Sequence, residues 1–495
     1  MNKFKVAIIG AGSVGFTREM VKDLLSVPEF RTNMELSFTD INEKYLEMAV
    51  KLIQRDIHAN NIDLKIFATT DRREAFKDAK YVFNFVRIGG LEAFKHDVEI
   101  PLKYGIDQCV GDTLGPGGIM YGQRGIPEIL NFCKDIREVA HPDCIMLNYA
   151  NPNAMITWAC NKYGKVPTIG LCHGVQNGHQ LIAEALNIPK DELDIVCVGI
   201  NHQTWYTQIR HKGRDVSGRL LEALENHPVF SRQEKVRIDM LKRFGYFSTE
   251  SNGHLSEYLP WYRKRPEEIK DWISTDSWIN GETAGYYRFC SERRNWFDED
   301  FPRWLEEEPM KYPEKNTGVE HGAHIIESLE TGRIYRGHFN VINNGVIKNL
   351  PDDAVVEVPA YVDGNGISVP VYGDLPLGCA AVCNASISVQ RLAVEAAVHG
   401  DDMLLRQAMM MDPLTGAVLN PPEIWQMTDE MLVAEEKWLP QYTQAIESAK
   451  KRLASGNLIP TKDYKGAARK EIKSVDEIRK DENSQKLLDL AAHKN

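Results

Sequence analysis

The segment Phe4-Lys5-Val6-Ala7-Ile8-Ile9, followed directly by Gly10-Ala11-Gly12-Ser13-Val14-Gly15, constrains this chain more than any other. An apolar strand runs into a G-x-G-x-x-G turn, and residues 18–25 then read as a helix. In that context the first glycine permits a tight turn, the second lets backbone approach a pyrophosphate, and the third lets helix pack on strand. The helix N-terminus offers N–H donors and the positive end of its dipole to phosphates. Residues 34–39 read as the next strand and end at Asp40. An acid there accepts hydrogen bonds from both hydroxyls of an adenosine ribose and repels a 2′-phosphate. Gly10, Gly12, Ser13, Val14, Gly15 and Asp40 are thus the expected dinucleotide set, for NAD rather than NADP.

Strand and helix patterns alternate through the first 200 residues, as in a parallel sheet with helices on both faces. Residues 64–69, 81–86, 145–148 and 168–172 read as strands; 43–59, 122–139 and 178–186 read as helices. Beyond residue 200 the alternation breaks down. Helical stretches (233–244, 317–330) mix with strand-like ones (354–358, 367–371). The expected architecture is α/β: a Rossmann-type, doubly wound N-terminal domain over 1–200, and an α+β domain over 201–460 that caps the cofactor cleft. A charged tail over 461–495 is assigned no chemistry. Residues 111–119, Gly-Asp-Thr-Leu-Gly-Pro-Gly-Gly-Ile, are too glycine-rich for helix or strand and read as a binding loop or lid.

Ligands of such sheets sit at the carboxyl ends of the strands. Four chemically loaded segments fall at those ends: Gly10–Gly15, Arg87-Ile88-Gly89-Gly90, residues 148–152 and Cys172-His173. A second strand end, Gly199-Ile200-Asn201-His202, offers an imidazole. A thiolate and an imidazole together suit Mn²⁺, Fe²⁺, Co²⁺ or Zn²⁺, and two protein ligands leave coordination sites open. Their spacing alone means little, since Cys is commonly a small buried hydrophobe and His a satisfied core residue. Nine scattered cysteines fit reduced thiols. No apolar run reads as long enough to cross a bilayer, and the N-terminus lacks a signal-peptide core, so a cytoplasmic enzyme is expected. A net charge of −11 argues against nucleic acid or anionic membrane as partner.

Taken together, Gly10–Gly15, residues 112–119, Asn151-Pro152, Leu171-Cys172-His173, Gly199-Ile200-Asn201-His202 and residues 340–345 resemble glycoside hydrolase family 4. Within it the likeness is to the melibiase-type α-galactosidases and their α-galacturonidase relatives, and it runs to about residue 460. The resemblance implies an NAD⁺- and Mn²⁺-dependent cytoplasmic homo-oligomer, dimer or tetramer, with a Rossmann domain related to lactate and malate dehydrogenases. It also implies an unusual mechanism, outside the two-carboxylate rule for glycosidases. NAD⁺ takes hydride from C3 of the sugar, a base removes the acidified C2 hydrogen, and the metal stabilises the enediolate. The aglycone then leaves from C1, water adds and hydride returns. By the same resemblance Cys172 and His202 are the metal ligands, and Asn151 binds sugar hydroxyls.

Acid and base are left open. Phospho-glycosidase members carry Asp after the metal cysteine, where this chain has His173, which argues against a 6-phospho-sugar; Asp112 is the alternative acid. Members take the C2 proton with Tyr or Asp from the region matching residues 245–257. Here that region has no Asp, and Glu250, His254 and Glu257 are the able groups. Arg124 reads either as a binder of a sugar hydroxyl or carboxylate, or as half of a structural ion pair. Melibiase-type members read Cys-His-Ser-Val where this chain has Cys172-His173-Gly174-Val175. Losing that side chain enlarges the pocket toward a C6 carboxylate, with Arg124, Arg87 and His179 as available cations. The expected substrate is an α-galactoside, with α-galacturonide or α-glucuronide as the alternative. A plain NAD-dependent sugar or 2-hydroxyacid dehydrogenase, using His202 as acid–base, and a non-catalytic NAD sensor are the rival classes.

Overall fold

Six short apolar strands build a parallel half-sheet in the computed structural model, which describes residues 2–315 and 318–481. They are β1 (Phe4–Ile9), β2 (Met34–Thr39), β3 (Ile66–Thr69), β4 (Tyr81–Asn84), β5 (Ile145–Asn148) and β6 (Thr168–Gly170). Their order, β3-β2-β1-β4-β5-β6, is that of a dinucleotide-binding sheet. β4 and β6 are buried along their whole length, which is why they read as continuous apolar runs and not as alternating ones.

Among the described residues seven further strands follow: β7 (Leu193–Ile200), β8 (Gln203–His211), β9 (Arg214–Asp215), β10 (Phe247–Ser248), β11 (Tyr335–Ile342), β12 (Val355–Asp363) and β13 (Gly366–Ser368). These pair antiparallel, so hairpins replace the crossover helices and the sequence alternation disappears. The sheet itself does not stop. Asn340 of β11 pairs with Gly170 of β6, and Glu357 of β12 pairs with Gly199 of β7. One thirteen-stranded sheet results.

Several local expectations change. The glycine-rich segment is not an open lid: residues 111–126 are buried, and a helix, Gly115–Val139, begins inside it. The loop folds back on that first turn so closely that a Cβ on Gly118 would lie 2.4 Å from the Thr113 carbonyl carbon. The first-turn amides are satisfied from elsewhere, Gly115 N by Asp412 at 3.0 Å and Gly117 N by Gln108 at 3.1 Å. Helix Leu377–His399 is long and apolar enough to cross a membrane, contrary to expectation. It packs against Gly115–Val139, Asn153–Ala159 and Asp402–Met411, and a helix with neighbours on several sides is apolar nearly all round. The predicted 317–330 helix spans His321–Thr331; Thr317 lies outside the described residues. The tail is docked at its start: Tyr464 Oη and Ala467 N both donate to Asp107 at 3.0 Å. Residues 482–495 of it lie outside the description.

Candidate active site

The turn after β1 closes because Gly10 adopts φ +83° and because a Cβ there would sit 2.8 Å from the Phe85 carbonyl carbon. Helix Val14–Leu25 follows, with Ser13 at its N-cap. Asp40 stands at the end of β2 and accepts hydrogen bonds from Gly12 N at 2.8 Å and Asn42 N at 2.9 Å. A Cβ on Gly15 would meet nothing within 4 Å. The third glycine therefore borders open space and does not serve helix-to-strand packing as predicted.

Cys172 and His173 occupy the tight connection between β6 and helix Gly174–Leu186, with His173 as the N-cap residue. His202 reaches the same point from the opposite half of the sheet. Ile200 pairs with Gln203, so Asn201 and His202 form a two-residue hairpin tip, and His202 takes φ +64°. A non-glycine residue in the left-handed region carries about 1–3 kcal/mol of strain, a feature concentrated at functional sites. Thr113 Oγ1 at 3.1 Å and Tyr258 Oη at 3.2 Å engage Nδ1 of His202. Nε2 is thereby turned toward Glu250, whose Oε1 lies 3.8 Å away. The same Oε1 accepts from the Cys172 thiol at 3.3 Å. Ligand atoms of Cys172, His202 and Glu250 all lie within 4.8 Å of one another.

Burial and the Glu250 charge push the Cys172 thiol well up. Burial would also raise Glu250, but the His202 and His254 imidazoles hold it below the usual carboxylate range. A dication bound between Cys172 and Glu250 would displace the thiol proton and pair with the carboxylate. Sulfur and imidazole suit a divalent transition metal, and the carboxylate beside them is the kind of oxygen group that Mn²⁺ favours. Gly174 completes the arrangement: a Cβ there would lie 1.6 Å from Glu250 Oε1. The pocket is not enlarged by that glycine, as its sequence suggested; the Glu250 carboxylate fills the space.

The other predicted groups sort clearly. Asp112 is buried and accepts from Arg87 Nη2 at 3.2 Å, Asn151 Nδ2 at 3.1 Å and Thr113 Oγ1 at 3.0 Å. Arg87 lies against the rings of Phe94, Tyr121 and Tyr286, and its Nη1 has no hydrogen-bond partner among the described residues. His173 Nε2 lies 3.0 Å from both oxygens of Glu320; burial works against its charge, but that carboxylate raises its pKa. His254 is buried beside His202, with ring centroids 4.9 Å apart, and burial lowers it to about 4.

Two candidates are engaged elsewhere. Glu257 accepts the backbone N–H groups of Cys109, Val110 and Gly111 at 2.6, 2.9 and 3.0 Å, anchoring the glycine-rich loop, and burial raises it to about 7. Arg124 is fully buried in an ion triad with Asp97 and Glu435, so its guanidinium has nothing to offer a ligand. His179 Nε2 donates to the Leu193 carbonyl oxygen at 2.8 Å, also outside the cluster. Sequence reading passed over Glu320, for which no local pattern exists. It also passed over Glu357, which stands behind Glu250 and is pushed well up by burial and by that charge. A signal for Glu357 was present: an acid inside the apolar strand Val355-Val356-Glu357-Val358.

Residues 5–188 match the family model described as Family 4 glycosyl hydrolase, and residues 197–415 match the Family 4 glycosyl hydrolase C-terminal domain. An α-galactosidase of Rhizobium meliloti (strain 1021) is 56% identical over 98% of this chain and 99% of its own length. An α-galacturonidase of Thermoanaerobacterium saccharolyticum is 28% identical over 88% of this chain and 96% of its own. The 6-phospho-β-glucosidase of Thermotoga maritima, solved with manganese, NAD⁺ and glucose-6-phosphate, superposes with a TM-score of 0.72 at 26% identity, covering 88% of this chain and 99% of that one. A glycine turn with its acid and a thiol–imidazole–carboxylate cluster, set in one continuous sheet, thus have a family to which they belong: this chain is a member of glycoside hydrolase family 4.

Proposed function

We propose that the chain hydrolyses α-galactosides with NAD⁺ and a divalent transition metal, Mn²⁺ first. The observation that carries this reading is the convergence of Cys172, His202 and Glu250 within 4.8 Å. The thiol and imidazole of that group fit the metal, with Glu250 standing beside them, and the open space at Gly15 with Asp40 at the β2 end fits the dinucleotide. Cys172 and His202 would hold the cation; Gly10, Gly12, Ser13, Val14, Gly15 and Asp40 would hold NAD⁺. When bound, the nicotinamide supplies a reversible oxidation at C3, and the cation stabilises charge on the C2 and C3 oxygens.

The chain's own residues do the rest. Glu250, anionic and against both metal ligands, takes the proton from C2. Asn151 and Asp112, tied to each other and to Arg87, position sugar hydroxyls. His173, backed by Glu320, gives a proton to the departing aglycone oxygen and takes one from the water that replaces it. The identity to α-galactosidases supports the galactoside assignment, as does the charge over Gly174. A uronide's C6 carboxylate brought to that side would face Glu250, and Arg124 is not free to neutralise it.

Asp40→Ala is expected to weaken NAD⁺ binding through loss of one or two charge-assisted hydrogen bonds, about 1.5–3 kcal/mol each. Calorimetric titration reads this directly, and unchanged affinity would remove Asp40 from the ribose. The substrate assignment is tested with p-nitrophenyl α-galactoside, α-glucoside, α-galacturonide and α-glucuronide in the presence of NAD⁺ and Mn²⁺. The galactoside is expected to exceed both uronides by about a hundredfold in kcat/KM, the effect of two to three kcal/mol of charge repulsion. A uronide turned over best would reverse the assignment.

A further inference from the structure

Helix Gly285–Glu306 reaches from Arg87 to the glycine turn and is fastened at both of those points. At its start Tyr286 stacks against Arg87, the guanidinium that holds Asp112, with ring centroid and guanidinium carbon 5.4 Å apart. Toward its end Phe297 and Phe301 share a buried cluster with Val14 of the glycine turn and with Met48 and Leu52. Asp298 accepts from Tyr45 Oη at 2.8 Å. Between these anchors stands Arg294, whose guanidinium lies 4.0 Å from the Tyr45 ring centroid. Tyr45 in turn sits against the turn itself, since a Cβ on Gly12 would be 2.9 Å from Tyr45 Cβ and 2.7 Å from Asp40 Oδ2. Among the described residues no carboxylate pairs with Arg294.

We propose that Arg294 clamps the diphosphate of the dinucleotide from across the cleft. The proposal rests on the NAD reading above and adds a residue from outside the nucleotide-binding half. An adenosine end at Asp40 and a sugar end at Arg87 and Asp112 leave the diphosphate to cross the interval between them, and Arg294 stands on the helix that joins those two points. Helix amides at Val14 and the guanidinium then face the two phosphates from opposite sides, and a planar fork suits that bidentate task. Stacking on Tyr45 holds the side chain in place without neutralising it. Its neighbour Arg293 stacks on Phe289 and Trp296 and serves as the control.

The test is equilibrium binding of NAD⁺, ADP-ribose and adenosine to wild type, Arg294→Gln, Arg294→Lys and Arg293→Gln, with thermal melts to check folding. Arg294→Gln should weaken NAD⁺ and ADP-ribose by about tenfold to a hundredfold, the loss of one or two charge-assisted bonds. Adenosine should change by less than about twofold, Arg293→Gln should bind like wild type, and Arg294→Lys should fall between. Equal losses for adenosine and NAD⁺, or NAD⁺ affinity of Arg294→Gln within about twofold of wild type, would overturn the clamp. Wild type that binds neither NAD⁺ nor ADP-ribose would overturn the NAD reading and the clamp with it.

Discussion

Cys172→Ser is expected to leave a folded chain that binds NAD⁺ with affinity within about twofold of wild type and hydrolyses α-galactoside on the order of a thousandfold more slowly. The large effect follows from where the sulfur sits. Cys172 Sγ meets Glu250 Oε1 at 3.3 Å and receives Gly174 N at 3.4 Å, so it forms one wall of the donor cluster. A serine hydroxyl is harder, shorter and far less acidic than a thiol, so it cannot supply the anionic soft ligand. The dinucleotide turn and Asp40 lie on other strands and keep their geometry. Manganese titration followed by electron paramagnetic resonance should show weakened metal binding in the same variant. Full activity in Cys172→Ser, or equal loss of NAD⁺ and Mn²⁺ binding, would remove Cys172 from the metal site.

Glu250→Gln carries the second large effect, a fall of about 10²–10⁴ in kcat, the usual weight of a general base. Glutamine keeps the shape that fills the space over Gly174 and so preserves packing, but an amide oxygen cannot take a proton. The loss should therefore appear in kcat more than in KM, and wash-out of C2 deuterium from labelled substrate should stop with it. Turnover and C2 exchange that survive in Glu250→Gln would send the base role to another group. His254 is the nearest, since its ring lies against His202.

The sequence announced those parts of the site that local chemistry determines. Gly10–Gly15 and Asp40 stand out in the sequence because a strand–turn–helix pattern is set within a few residues, and the fold shows that turn with Asp40 bonded to Gly12 N. Cys172 and His202 were legible as ends of apolar strands. What sequence could not choose was decided by tertiary packing. Glu250, His254 and Glu257 are equivalent by spacing. Only the folded chain puts Glu250 on the thiol and gives Glu257 three loop amides. Gly174 looked like vacated space because its neighbour across the cleft is seventy-odd residues away in sequence; that neighbour is Glu250. Arg124 looks available because its partners Asp97 and Glu435 lie 27 and 311 residues away in sequence. In the glycine-rich segment residues 111–114 are loop, as its composition suggests, but 115–119 open a helix. Its glycines serve close backbone approach at a helix start, not flexibility. The antiparallel extension of the sheet was hidden because hairpin strands lack the βα rhythm that made the first half readable.

The central claim is that hydrolysis proceeds through deprotonation of C2 and depends on a dinucleotide that is not consumed. Hydrolysis of α-galactoside by wild type in D₂O with NAD⁺ and Mn²⁺, followed by proton NMR of the released sugar, tests it in one experiment. Deuterium at C2 of the product, formed only when NAD⁺ is present and without accumulation of NADH, is the predicted result. Product carrying only protium at C2, formed equally well without NAD⁺, would contradict the claim.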